Sequence, residues 1–531
     1  MSTESTCVIY IDDTKIIHAI DLREGKSFEI LSSSNASEVF QRAINDISET
    51  GGKIFVKAGT YEMTNLILLR SGIILEGESS GFAKGTVFTT DELVFIDDIF
   101  FSLQGMEHIL LKSLAFHNIY RCSHDSDNTT KVISLNGLNF VTIEDCYFDD
   151  CGGSAVFNAT NDSDGITISK CFLSRVGSDS YGLNTTENYN YSGIAFHKTK
   201  NVLIDGCDIR NCGSSGIVVW SASHQVKIVN CTVIDNDQKR VFGQGHGIIV
   251  GGGYGETEPK TEEVIISENH CLNNGGNGIE ANSLYGKKTI VSNNICIGNG
   301  FNPVGTSEHP QYRAGIYTGH YNTLVCGNQV EDNYGNGIKV GNEQDGWANT
   351  MVSGNFIGNN NKGWYEGQEK YKQAGITMNV GYPTEESGFI PKTVIRDNII
   401  YNKEDEHQYF GVLIRTGAKN FVVEDNYFYG NLIGVDWTED RNSGIVRRNT
   451  GFNTETTGTD IILSGENSVV VMHGLNIFPL PQGFQVTPLA NLSPPPENNF
   501  WIEAIGESTF TIRIKRKTGH DIEFAWSYRK W

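Results

Sequence analysis

Hydrophobic and polar residues alternate with a period of two in short runs along most of the chain. Between residues 140 and 450 these runs read "VTIED", "ITISK", "VLIDG", "VKIVN", "VIISE", "TIVSN" and "TVIRD". Alternation over so few residues predicts β-strands. Each run ends at one polar or thiol position: Cys146, Cys171, Cys207, Cys231, Asn269, Asn294, Asn328, Asn355, Asn398, Asn426 and Asn449. Five residues further on, a second column holds Cys151, Cys212, Asn236, Asn274, Asn299, Asn333, Asn360 and Asn431. After most of these, a stretch of variable length leads to "GI" and another short strand.

A self-similar period of this kind predicts a solenoid, whose units bury their apolar faces only against one another. The shortest units, roughly 23 to 28 residues, fit one rung of three strands with tight turns. The fold class expected is therefore all-β, a parallel β-helix of about a dozen rungs. Asparagine at a turn bonds both its own backbone and the rung above, so the two columns read as buried ladders.

Residues 30 to 85 contain "ASEVFQRAINDISETGGKIFVKAGTYEM" and "GIILEGESS". This opening resembles that of the pectate-lyase-like superfamily of right-handed parallel β-helices, which begin with a plugging helix, a "GG" strand, a "GTY" turn and an "L-x-GE" segment. Ser34 or Asn35 is the expected helix cap, with Val39, Phe40, Ala43, Ile44 and Ile47 as the apolar stripe. The expected organisation is a hairpin over 1–30, the helix over 31–50, the coil over 51–462 and a small β-sandwich over 463–531. The terminal texture "HGL…VTP…FWI…TFTI…FAWSY" is similar to terminal modules of viral tail fibres. That resemblance implies a virion spike, a homotrimer, and a place on a virion surface or outside the cell.

No apolar run of signal-peptide type follows Met1, and none approaches the roughly 18 apolar residues that span a membrane. The expectation is a protein made without a signal peptide and without membrane insertion. The formal charge of −22 argues against nucleic acid as a partner. Eleven cysteines, an odd number that interchanges with asparagine in the ladders, point to reduced buried thiols. No CxxC spacing suggests a zinc site, and neither metal nor cofactor is expected.

Chemistry is sought on the outside of the coil. With the residue after each "GI" glycine pointing inward, the next ones point outward. The outward pairs are then Ala195/His197, Val218/Trp220, Ile249/Gly251, Glu280/Asn282, Tyr317/Gly319, Lys339/Gly341, Thr377/Asn379, Leu413/Arg415 and Asp436/Thr438, expected as two exposed columns. Rungs lie about 4.8 Å apart, so Glu280, Tyr317 and Lys339 fall on three successive steps. A carboxylate, a phenol and an ammonium so placed form an acid/base set, and they are the expected catalytic residues. Long insertions on both sides carry aromatic residues, including Trp364, Tyr365 and Tyr409, suited to stacking on sugar rings. Expected substrate-binding residues are His197, Trp220, His246, Asn282, His320, Asn379, Arg415, Trp364 and Tyr365, with a polysaccharide as the partner.

"GQGHGIIVGG" at 243–252 looks like the "GHG" strand of polygalacturonases, with His246 in place of that family's histidine. The family's "NTD" and paired aspartates are absent, and His246 shares the register of Asn277 and Asn336, so a turn role competes. Glu280 and Asp436 stand about five rungs, or about 24 Å, apart. Glycosidase carboxylates need about 5 to 9.5 Å, so hydrolysis would require a loop carboxylate. A lyase-like mechanism with Tyr317 or Glu280 as base is the leading expectation. Alternatives are a non-catalytic receptor-binding fibre and a uronan epimerase.

Overall fold

The computed structural model describes residues 7–23, 27–47, 51–81, 84–90, 98–102, 105–119, 131–135, 137–158, 162–177, 192–220, 222–236, 245–251, 261–282, 286–301, 313–341, 349–363, 374–378, 393–403, 408–414, 420–437, 444–452, 456–475, 479, 483–489, 500–506, 508–515 and 519–528. Most of these residues form a right-handed parallel β-helix. Each rung gives one strand to each of three sheets, here A, B and C. In one rung the strands are Glu262–Ser267 in A, His270–Leu272 in B and Ile279–Asn282 in C. Parallel pairing stacks every rung on the next in strict register, so that Ile279, Ile316 and Ile338 line up. Inward-facing Ile, Val, Leu and Phe make one continuous core.

Backbone conformation explains why the ladders exist. Every residue immediately before a first-column position has a positive φ, from Asp145 (53°) through Glu268 (60°) to Arg448 (51°). That left-handed residue turns the chain and aims the next side chain into the coil. Seven asparagines then run from Asn269 to Asn449. Each Oδ1 beyond Asn269 accepts both the backbone N–H and the side-chain Nδ2 of the asparagine before it, as Asn328 does from Asn294 at 2.9 and 3.0 Å. The second ladder uses the same geometry, and it includes one member outside the sequence column. Gln408 accepts from Asn360 and donates to Asn431, filling a rung that the sequence pattern skips. Upstream, thiols take these positions and donate weakly to carbonyls, as Cys171 does to Ile143 at 3.7 Å. The ten described cysteines are free, and nine of them are buried.

At the N-terminal end, strands Cys7–Ile11, Ile17–Asp21 and Phe28–Ser33 form an antiparallel sheet that joins sheet A by parallel pairing of Cys7–Ile11 with Gly52–Val56. Helix Ala36–Ile47 follows, capped by Asn35 Oδ1, which accepts the Glu38 N–H at 3.2 Å. Its stripe of Val39, Phe40, Ala43, Ile44 and Ile47 is fully buried, and the Phe40 ring meets Tyr61 edge-on. At the other end, Thr456–Ile462, Ile522–Tyr528 and Phe484–Pro488 form one antiparallel sheet, and Ser468–Met472, Thr509–Ile514 and Phe500–Glu503 another. Phe510, Ile512, Phe524 and Tyr528 are buried in this terminal module. The strand Thr456–Ile462 lies before the boundary expected from sequence, because its partner is the last strand of the chain rather than another rung.

One surface cluster in the N-terminal sheet gathers titratable groups around His18. His18 Nδ1 lies 3.0 Å from Glu29 and 2.8 Å from Ser32 Oγ, its Nε2 lies 3.0 Å from Asp12, and Tyr10 stacks on the ring. Hydrogen bonds to Glu29 and then Asp12 raise the His18 pKa above its ordinary value. A raised folded-state pKa stabilises the fold fully below the unfolded value of about 6.5, and that contribution disappears as pH rises through the folded value. Hydrogen exchange of residues 7–21 should therefore be slower in wild type than in His18→Gln at mildly acidic pH. The two should converge above the His18 transition, and equal exchange at every pH would show that the cluster contributes nothing.

Candidate functional site

The outer face of sheet C carries the polar cluster, and its residues arrive there through the "GI" pattern. A Cβ on Gly278 would stand 2.7 Å from Gly315 O and 2.8 Å from Asn299 Nδ2, so only glycine lets the chain pass the ladder at that point. Ile279 then points into the core and Glu280 away from it. The same holds on the following rungs, where Glu280 pairs with Tyr317 and Tyr317 with Lys339. The Lys339 Nζ sits 4.6 Å from the Tyr317 ring centroid, a cation–π contact.

Inward and outward sets separate cleanly in the packing. Ile194, Ile217 and Ile248 belong to the main core, whereas Ala195, Val218 and Ile249 form a cluster of their own with Trp220. The expectation of two exposed columns is nevertheless corrected. Glu280 is 2% exposed, Tyr317 3%, Lys339 3% and Thr377 3%. The outer column is a covered layer, because alternation decides which side of the sheet a residue faces but not what lies over that side.

Glu280 is held by a neighbour on its own rung and lies beside one on the preceding rung. Asn277 Nδ2 donates to Glu280 Oε2 at 2.7 Å, and His246 Nδ1 lies 3.5 Å from the same oxygen. His246 Nδ1 also accepts the Asn277 backbone N–H at 3.0 Å, Asn277 Oδ1 accepts the Ala314 N–H at 2.7 Å, and Asn336 Oδ1 accepts the Ala374 N–H at 3.1 Å. The three residues of this register thus tie successive rungs together. His246 does so while touching the carboxylate. Asn277 was not singled out as a site residue from sequence, although its place three residues before Glu280 was the available signal.

Two polar atoms flank the set. Asn282 Oδ1 and Thr377 Oγ1 are among the buried side-chain atoms of the described residues that have no hydrogen-bond partner, a set that also includes Thr318 Oγ1 and His320 Nε2 close by. Asn282 follows Glu280 by two residues on the same outer face, and Thr377 pairs with Lys339 on the next rung. Unsatisfied buried groups are costly, and they mark places where a hydroxyl-rich ligand gains hydrogen bonds.

His197 and Trp220 stand side by side on adjacent rungs of the same face, and burial lowers the His197 pKa. His320 is a correction to the substrate-binding set. It is fully buried, its Nδ1 is 2.7 Å from Thr289 Oγ1 on the inner face of sheet A, and desolvation takes its pKa down to about 3. Sheet C ends at Thr318, and the chain turns His320 into the corner between sheets C and A. Asn379, Arg415, Trp364 and Tyr365 lie outside the described residues. Among the described residues, no three His, Cys, Asp or Glu side chains converge as a metal site, and no helix is long and apolar enough to cross a membrane.

The family model "Right handed beta helix region" matches residues 131–313. No curated protein matches the sequence. Among solved structures, the tailspike protein gp49 of Pseudomonas phage LKA1 is similar at 9% identity and TM-score 0.55, over 92% of each chain. A double-mutant tailspike protein of E. coli bacteriophage HK620, solved with a pentasaccharide, shares 12% identity at TM-score 0.53, covering 93% of this chain and 90% of that one. Gene product 12 of bacteriophage phi29 shares 15% identity at TM-score 0.53, covering 77% of this chain and 55% of that one. At these identities the likeness is one of fold. The chain folds as a right-handed parallel β-helix.

Proposed function

We propose that the protein binds a polysaccharide on the outer face of sheet C and cleaves it there by a lyase-like reaction, as a homotrimeric spike on a virion surface. The observation that carries the binding site is the pair of unpartnered buried atoms, Asn282 Oδ1 and Thr377 Oγ1, on either side of Glu280, Tyr317 and Lys339. Sugar hydroxyls supply the donors and acceptors those atoms lack. The likeness to a tailspike solved with a pentasaccharide supports the same reading.

In the lyase reaction a base removes the proton α to a uronate carboxyl, and the glycosidic oxygen leaves from the adjacent carbon as the double bond forms. Tyr317 or Glu280 takes the proton. Lys339, against the Tyr317 ring, favours the phenolate and balances the uronate carboxylate. Asn277, donating to Oε2, fixes the Glu280 carboxyl in place. Hydrolysis fits the described residues less well, since the next acidic residue along this column, Asp436, lies about five rungs or about 24 Å away. The near-complete burial of Glu280, Tyr317 and Lys339 favours a second reading, a non-catalytic receptor-binding fibre in which the cluster is structural.

A panel of uronate-containing and neutral polysaccharides separates these readings. The expected result is ultraviolet absorbance from unsaturated products on a uronate polymer. New reducing ends without that absorbance would indicate hydrolysis. Binding without any product would leave the fibre, and no binding to any polymer would overturn the proposal.

A further inference from the structure

The outer face of sheet B changes character along the coil. On the early rungs it is charged: Asp149 pairs with Arg175 and His117, and Asp208 with Arg210. On the late rungs the strands are Phe356–Gly358, Ile399–Tyr401 and Tyr427–Tyr429, which contain no charged residue. Phe356, Ile399 and Tyr427 stack in one outward column, with Tyr401 and Tyr429 in the next. Sheet A on the same rungs carries the opposite texture, with Glu424 and Asp425 paired to Arg447 and Arg448. Charges beside the sheet B face include Glu331, held by Gln329, the Lys362–Asp332 ion pair, and Lys403, which sits over the Tyr401 ring at 5.0 Å.

We infer that this late apolar face of sheet B is the contact surface between copies of this chain. The inference rests on the homo-oligomer reading above and adds to it the face that does the joining. Exposure is high for a stack of large side chains: Phe356 39%, Ile399 45%, Tyr427 47%, Tyr429 60% and, at the adjoining turn, Leu432 70%. A contiguous apolar stack on an exposed sheet face marks an interaction surface.

Electrostatics selects the occupant. Every copy carries a formal charge of −22, so two copies meet at least cost where neither presents charge. Among the described rungs of sheet B this is that region. At about half of the ~200 Å² of a large side chain, the five rung residues offer roughly 500 Å², more than half of one partner's ~800 Å² share of a standard interface.

Light scattering on the full chain tests this, comparing wild type with Ile399→Glu/Tyr429→Glu and with Tyr429→Arg, and using Phe140→Glu as an exposed control on another face. Wild type and control should have the mass of an oligomer. The patch variants should dissociate at concentrations at least tenfold higher, with the far-ultraviolet circular dichroism unchanged. A monomeric wild type would overturn both the inference and the oligomer reading. An oligomeric wild type with patch variants that stay assembled would overturn the face alone, as would a control that dissociates equally. Patch variants that stay assembled and lose polysaccharide binding would assign the face to sugar instead.

Discussion

Replacing Asn328 with leucine is expected to destabilise the protein by about 4 kcal/mol or more, among the largest effects of any single side chain here. Asn328 Oδ1 accepts from the Asn294 backbone and side chain, while its Nδ2 donates to Val291 O, Cys326 O and Asn355 Oδ1, all at 2.9 to 3.2 Å. The site is 1% exposed, so water does not replace the lost partners. Leucine is close in size, which leaves unsatisfied polar groups rather than a cavity as the cause. Each such group costs about 1 to 3 kcal/mol when buried, and at least two rungs are affected. Denaturant unfolding measures the loss. A change below about 1 kcal/mol would mean that the ladder relaxes around its gap and that the column is not a stabilising element.

The second large effect is catalytic. Glu280→Gln and Tyr317→Phe are each expected to lower kcat on the responsive polymer by about 10²- to 10⁴-fold, the range for loss of a positioned acid or base. Glutamine keeps the shape of Glu280 and remains able to bond Asn277, so the fold should survive. Lys339→Met should lower turnover of the uronate polymer, since it removes the positive charge beside the Tyr317 ring that balances the uronate carboxylate. Turnover by Glu280→Gln within a few-fold of wild type would remove the carboxyl from the mechanism and leave Tyr317 as the base. Full turnover by both variants would place the chemistry elsewhere.

The fold was legible in the sequence because one geometric event repeats. A left-handed residue followed by asparagine or cysteine turns each rung, and Asp145, Asn230 and Asp397 show the Asp/Asn preference for that conformation. Gln408 was not legible, since it reaches the ladder from outside the five-residue spacing that defines the column. The stacking of Glu280, Tyr317 and Lys339 followed from period two applied rung by rung. Their burial did not follow, because alternation is a property of one strand and covering is a property of the surrounding chain. His320 fails for a related reason: the period ends with the strand at Thr318, and the corner beyond it sets its own direction.

The most direct test is a structure of Glu280→Gln bound to an oligosaccharide from the responsive polymer. Sugar should lie on the outer face of sheet C across the Glu280, Tyr317 and Lys339 rungs, with hydroxyls within hydrogen-bond distance of Asn282 Oδ1 and Thr377 Oγ1. Sugar bound on sheet B or on the C-terminal sandwich, with Asn282 and Thr377 untouched, would contradict the assignment of this face as the polysaccharide site.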